Sequence, residues 1–343
     1  MNTLTIKLKQ HTPLIHFQHD QEGATLRASE VKPKLDKYVL TRLGNGDYQA
    51  GIDSAKTNGW LIGKGEHAAL DYKMRIEATN FQEIAIPTRL VRKRGEIQTD
   101  EIGRQLYTTN NYPDNNASLI MSNIGGRAKE NLFNLSMANS IIVIIQTKND
   151  KLQCKLKESL SLFFARNSFG NRTSKGFGSF EVKSINGIEE EGYLDSDSYI
   201  LSFTTSLGNQ INKEEVYKDV FKIIQHIWKS LKNISGIKGK AGKNVLLNIS
   251  PQRTDKADRI PSPICFKPLI DFYKENDSYF CDINITTFFN IDVIKRVTGD
   301  YQTQYYIDKM TELKNSLGSS LYSYLDNITE CNIVEQSVNI GEL

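Results

Sequence analysis

The stretch Gly170–Phe180, GNRTSKGFGSF, joins three glycines to two cations and several small hydroxyl residues. Glycine permits positive φ and lets backbone approach a ligand closely, while Arg172 and Lys175 carry charges suited to phosphate. An anionic ligand is the first reading. The order of residues is not that of a Walker phosphate loop, G-x-x-x-x-G-K-[ST], nor of a dinucleotide fingerprint, which opens a helix. Here the loop follows a helix and leads into a strand. Upstream, SIIVIIQTK is a buried strand by its β-branched run, and DKLQCKLKESLSLFFARNS sets Leu152, Leu156, Leu160 and Phe163 along one helical stripe. Downstream, FGSFEVKSI alternates Phe177, Phe180, Val182 and Ile185 imperfectly, as a strand reached through a glycine turn does.

Farther out, NTLTIKLKQ has Leu4, Ile6 and Leu8 on one face, the two-residue period of a half-buried strand. ASEVKPKLDKYVLTRL offers Ser29 as N-cap, then Val31, Leu35, Tyr38 and Val39 at helical spacing, with Pro33 tolerated near the first turn. Turn formers dominate Gly44 to Gly65, and AALDYKMRIEA reads as a strand. From Glu83 to Asn139 the chain holds RLVRKRGEIQ, a basic hairpin candidate, and TTNNYPDNNAS, which reads as an exposed, mobile loop. This segment is an insertion, and NGIEEEGYLDSD is an acidic linker. The pattern then recurs. SYILSFTTSL, SPICFKPLI and YFCDINITTF are strands, and the segment after the first of these sets Val216, Val220, Ile223, Ile224, Ile227 and Leu231 on one face of a long helix. QTQYYIDKMTELKNSLGSSLYSYLDNI is a last helix or helix pair broken near Gly318. The expected fold is α+β: two ferredoxin-like, RRM-like halves with antiparallel sheets. The first spans 1–188 with its insertion at about 83–139, and the second spans 197–343.

Bulk properties limit the function classes. Of 343 residues, 43 are Lys or Arg and 40 are Asp or Glu, so the net charge of +3 makes no global case for a polyanion and any basic site is local. Cys154, Cys265, Cys281 and Cys331 are scattered, without zinc spacing, and read as reduced structural thiols. No run of 18 apolar residues occurs, which predicts a cytoplasmic protein without membrane contact.

GNRTSKGFGSF resembles the glycine-rich loop of the RAMP superfamily of CRISPR-associated proteins, a G-x-R-x-S-(basic)-G-F-G-S pattern between the last helix and last strand of a ferredoxin-like RNA-binding unit. The turn in LKQHTPLIHF, the basic segment in ATLRASEVKPKL and the strand in RIPSPICFKP, from Arg259 to Pro268, fit the same resemblance. A glycine loop at mid-chain followed by a second α+β half is most similar to the two-domain RAMP subunit of type III-B Cmr effector complexes. That resemblance implies a non-enzymatic RNA-binding subunit whose partners are guide RNA, target RNA and other RAMP subunits, with no cofactor and no metal.

The implied RNA-binding residues are Gly170, Asn171, Arg172, Ser174, Lys175, Gly176, Phe177 and Gly178, with Arg27, Lys32 and Lys34 at the start of the first helix and Arg259 in the second half. The amides of Gly176 and Gly178 are expected to approach phosphates, and Phe177 either stacks on a base or fills the core. Charge runs at Arg89, Arg92, Lys93 and Arg94, and at Lys238, Lys240 and Lys243, read either as RNA contacts or as solvated faces. HTPLIHFQHD holds His11, His16, His19 and Asp20 without a metal-binding spacing. An alternative is a metal-independent endoribonuclease that processes repeat RNA, with a histidine among His11, His16 and His19 as acid or base, while Asp20 resembles the loop aspartate of the backbone RAMP subunits that cut target RNA. A third class is a protein that contacts only other proteins. His67 and His226 read as structural.

Overall fold

The computed structural model describes residues 1–15, 25–63, 69–87, 89–90, 92–93, 96–97, 107–108, 132–170, 172–191, 199–213, 216–217, 220–221, 223–224, 264–289 and 333–340. The chain divides into two compact units. One comprises Met1–Glu83, Ser136–Arg172 and Phe177–Asp195; the other comprises Ile84–Leu135, Thr173–Gly176 and Ser196–Leu343.

In the first unit β1 (Asn2–Gln10) alternates as the sequence predicts, burying Leu4, Ile6 and Leu8. Helix α1 (Ala28–Leu43) follows, then α2 (Tyr48–Thr57) and a two-stranded ribbon of β2 (Leu61–Ile62) and β3 (Ala69–Leu70). Strand β4 (Lys73–Pro87) leads out toward the insertion, where β5 (Arg89–Leu90), β6 (Arg92–Lys93), β7 (Glu96–Ile97) and β8 (Tyr107–Thr108) pair as β5 with β8 and β6 with β7. Strand β9 (Leu132–Thr147), helix α3 (Asp150–Arg166), β10 (Phe180–Ile185) and β11 (Ile188–Glu189) return the chain to the sheet. The sheet order is β11-β10-β1-β9-β4. Apart from the short edge strand β11, the last strand lies beside the first and the third beside the second, which is the ferredoxin-like order. Ile6 of β1 faces Ile185 of β10 on one side and Val143 of β9 on the other, both antiparallel.

Both main helices cover one face of that sheet. Val31, Leu35, Val39 and Leu40 of α1 and Leu152, Leu156, Leu160, Phe163 and Phe164 of α3 join Ile141, Val143 and Ile145 of β9 in a single core. Removing each of these side chains from water contributes about 1.5–3 kcal/mol. Phe163, Phe164, Phe169 and Phe180 form a chain of tilted and edge contacts at 5.2–5.9 Å between ring centroids, carrying the core to the foot of the glycine loop.

In the second unit β12 (Tyr199–Gly208), β13 (Ile264–Glu275), β14 (Ser278–Phe289) and β15 (Ile333–Ile340) form a sheet of order β13-β14-β12-β15. This is the same order again, last-first-third-second. Val216, Tyr217, Val220, Phe221, Ile223 and Ile224 are helical and buried after β12, as their spacing predicts. Strands β13 and β14 are joined by Asn276 (φ 45°) and Asp277 (φ 62°), the double left-handed turn whose twist suits a two-residue hairpin.

Several local expectations are corrected. α1 begins at Ala28 after Arg27, which makes no side-chain cap, so Ser29 lies inside the helix. The region from Gly44 to Gly65 contains α2, started by Asp47, whose carboxylate accepts from the amides of Gln49 and Ala50 at 2.7 and 3.2 Å. AALDYKMRIEA is divided between β3 and β4, and strand extends into both ends of the 83–139 segment through β4 and β9. The last helix pair and the 238–243 lysines lie outside the described residues. Among the described residues no helix is long and apolar enough to cross a membrane.

Candidate nucleic-acid interface

The turn leaving β1 forms a buried bed, with His11, Thr12, Pro13, Leu14 and Ile15 all out of solvent. The end of the glycine loop lies along it. The His11 amide donates to Ser179 O at 2.9 Å, the Gly178 amide to Pro13 O at 2.9 Å, and the Ser179 amide to the Thr12 hydroxyl at 3.0 Å. The Phe169 amide closes the loop onto Gly178 O at 2.9 Å. Two positions in this arrangement require glycine. Gly178 sits at φ +65°, where a Cβ would fall 1.8 Å from Phe169 O; Gly170 sits at φ +80°, where a Cβ would fall 2.6 Å from Ile15 O. The TPL turn and the glycine loop, far apart in sequence, are therefore one structural element.

A buried ion pair fastens the base of this element. His11 Nε2 lies 3.2 Å from Glu181 Oε2 on β10, and Lys183 Nζ lies 3.1 Å from the same oxygen. Burial works against the charged carboxylate, but hydrogen bonds and positive charge from His11 and Lys183 outweigh it and hold Glu181 down at about 2.

On the other side the loop meets the start of α1. The Gly170 amide donates to Glu30 Oε1 at 2.7 Å, and Lys34 Nζ donates to the same oxygen at 3.1 Å. Lys34 also reaches Ser168 O at 3.4 Å and stands 4.8 Å over the Phe169 ring. Lys32 turns elsewhere: its Nζ donates to Asp36 Oδ2 at 2.9 Å and Leu70 O at 3.0 Å and lies 3.9 Å over the Tyr72 ring. Burial, then the neighbouring Asp36 carboxylate, push the Tyr72 hydroxyl strongly up.

Within the second unit, residues Thr173–Lys175 form one 3-10 turn packed on β13. The Gly176 amide donates to Thr173 O at 3.2 Å. Lys175 Nζ is enclosed there, near Cys265, whose thiol burial pushes up to about 11 against the opposing pull of the Lys175 charge. Lys267 on the same strand is buried as well.

These contacts revise the expected mechanism. The amide hydrogens of Gly170, Gly176 and Gly178 are all donated inside the chain, so in this conformation they are not presented to a phosphate. Phe177 is fully buried, the core position of its two readings. Lys32 is held by Asp36 and Leu70 rather than lining a groove, and Lys175 ends in an enclosed position. Arg172 and Ser174 are half-buried, as is Arg27, and Lys34 is exposed. Arg172 is at φ +59°, a conformation costing a non-glycine residue about 1–2 kcal/mol. Asn171, Arg259, His16, His19 and Asp20, together with His67 and His226, lie outside the described residues. The pairs Glu30/Lys34 and Lys32/Asp36 were detectable as i,i+4 spacings. His11 and Glu181 had no local signal, being 170 residues apart.

A sequence model of the Cmr1 N-terminal domain matches residues 1–237. The chain belongs to the Cmr1 family. It is accordingly a RAMP subunit of the type III CRISPR effector class, of the III-B Cmr kind. Among solved structures the chain is similar to Cmr1 from Pyrococcus furiosus in its apo form, at 14% identity over 84% of this chain and 89% of that one, with a TM-score of 0.42. It is also similar to a chain of the type III-B Cmr-beta complex bound to cognate target RNA, at 13% identity, 55% and 60% coverage and a TM-score of 0.32. The CRISPR-associated protein Cas6 follows at 10% identity, 86% and 91% coverage and a TM-score of 0.20. A search of the curated proteins gave no match. The three scores are low, and membership of the Cmr1 family rests on the sequence match.

Proposed function

We propose that this Cmr1-family chain is an RNA-binding subunit of a type III-B effector ribonucleoprotein, and that it contacts guide RNA, target RNA or both through side chains at the glycine loop. Arg172 carries the reading. An arginine held at φ +59° beside a locked glycine turn spends conformational energy, and such strain concentrates at functional positions. Its planar guanidinium suits a phosphate oxygen pair, and Arg27 and Lys34 of the same unit add positive charge at the start of α1. Contacts of this kind hold the RNA backbone without reading bases, which suits a complex whose sequence recognition is delegated to pairing with the guide.

The test compares wild type with Arg172→Ala and Arg172→Gly, using fluorescence anisotropy of a labelled single-stranded guide RNA across a salt series. Both variants should bind about threefold to tenfold more weakly, equally for RNAs of different sequence, with the salt slope reduced by about one. Arg172→Gly should at the same time melt no lower than Arg172→Ala, because it relieves the backbone strain that alanine keeps. Binding that is independent of salt, or variants that bind as wild type does, refutes the proposal.

A further inference from the structure

The ribbon of β13 and β14 carries different chemistry on its two faces. Ile270, Cys281 and Ile283 are buried on one face together with Phe203 of β12. On the opposite face Tyr273 stands directly across from Phe280 and Asp271 across from Asp282, with Thr204 of β12 beside Asp282 on its other side. The two aromatic rings lie side by side, 5.6 Å between centroids and 21° from parallel, as one flat shelf that remains partly open to solvent. Asp282 is held at its edge: Oδ1 accepts from the Thr204 hydroxyl at 2.7 Å and from the Tyr273 hydroxyl at 3.4 Å. Both hydroxyls bond the same oxygen, so Oδ2 is a further acceptor. Asp271 is exposed on β13, an outer strand of the sheet. The adjacent cation, Lys274, belongs to the other face; its Nζ pairs with Asp277 at 3.3 Å and lies 5.5 Å over the Tyr279 ring.

A stacked aromatic pair flanked by two carboxylates matches one kind of group. A guanidinium is flat, positive and rich in donors, so it stacks on an aromatic face and bonds carboxylate oxygens at once. The aromatic shelf taken alone also suits a nucleobase, but the two carboxylates beside it repel the phosphates that accompany one. An ammonium carries the charge without the flat face. We propose that this face of the β13–β14 ribbon is a docking surface for a basic protein segment, which lays an arginine over Phe280 and Tyr273 and against Asp282 and Asp271. Charge complementarity selects the partner, and the inference stands apart from the RNA reading of the glycine loop.

The experiment uses the full chain as wild type, Phe280→Leu and Asp271→Asn. Leucine keeps an apolar side chain on the sheet and removes the aromatic face, and Asp271 is exposed, so both variants should fold. Circular dichroism melts check this, and Asp282→Asn, which retains an oxygen for the Thr204 hydroxyl, stands in for either. The probe is a fluorescein-labelled peptide of alternating glycine and arginine, compared by anisotropy with its glycine and lysine counterpart and with an oligouridylate. Wild type should bind the arginine peptide about threefold more tightly than the lysine peptide, and each variant should lose about threefold to fivefold for arginine. The oligouridylate should bind all three chains alike. Absence of saturable binding by the arginine peptide, equal affinity for the two peptides, or variants that match wild type each overturn the docking site. A loss of oligouridylate binding in Phe280→Leu without a loss for the arginine peptide gives the shelf to nucleobases and overturns it as well. Arg172→Ala leaves this face untouched, so it should weaken RNA binding and not peptide binding, which separates this inference from the proposed function.

Discussion

Gly178→Ala should be among the most damaging single-methyl additions in the first unit, and its cost follows from three local facts. At φ +65° an alanine loses about 1–2 kcal/mol to its own backbone. The new Cβ would lie 1.8 Å from Phe169 O and 2.8 Å from Phe169 C, which are backbone atoms and cannot rotate away. One side of the loop must therefore move, breaking the Phe169 amide to Gly178 O bond, the Gly178 amide to Pro13 O bond, or both, at about 1 kcal/mol each. The sum is about 2–4 kcal/mol, a large share of the ~5–15 kcal/mol that stabilises an ordinary domain. At roughly 2–4 °C per kcal/mol the melting temperature should fall by about 10 °C. Gly187→Ala is the control: it has φ +79° but nothing within 4 Å of its Cβ, so only the conformational cost of about 1–2 kcal/mol applies. Urea midpoints from circular dichroism and calorimetric melting temperatures on the pair decide the matter. If Gly178→Ala lies within about 0.5 kcal/mol of Gly187→Ala, the packed loop described above is wrong.

Glu181 should make stability depend on acid. Its folded carboxyl, at about 2, lies below its ordinary 4.5, so its stabilisation is present above about pH 4.5 and is lost as the pH falls toward 2. With allowance for solvent screening this is about 2 kcal/mol, and Glu181→Gln should flatten the urea midpoint across that window. Phe163→Ala, removing a fully buried ring that touches Tyr38, Phe164 and Phe169, should cost about 3–5 kcal/mol in the same urea assay; less than about 1.5 would contradict the core assignment. With iodoacetamide at pH 8, exposed Cys154 should label before Cys265, whose thiol is raised to about 11, and before buried Cys281. Peptide mapping showing Cys265 modified first would reject that order.

Where a segment's burial is written in its own period, the sequence was sufficient. Leu4, Ile6 and Leu8 alternate because β1 has one face on the core, and Leu152, Leu156, Leu160 and Phe163 recur at helical spacing because α3 covers that face. Helix α2 left no such trace. Its buried residues are Gly51 and Ala55, small side chains that let it approach α1 closely without an apolar stripe. Strand β15 was likewise passed over, since its place depends on pairing with β12 rather than on a strong pattern of its own. The glycine loop could be recognised as a family motif, but nothing in it disclosed that its amides would be consumed by Pro13, Thr173 and Glu30.

Composition and periodicity determined the α+β class, the strand-helix-strand order of each half and the residues of the first core, because each depends on neighbours a few positions away. Tertiary structure alone decided that the TPL turn lies beneath the glycine loop, that His11 meets Glu181 across 170 residues, and that the Gly170 amide donates to Glu30. The physical reason is that a hydrogen bond or ion pair is defined by distance in space. Only strand register and helix docking bring such distant residues within reach of one another.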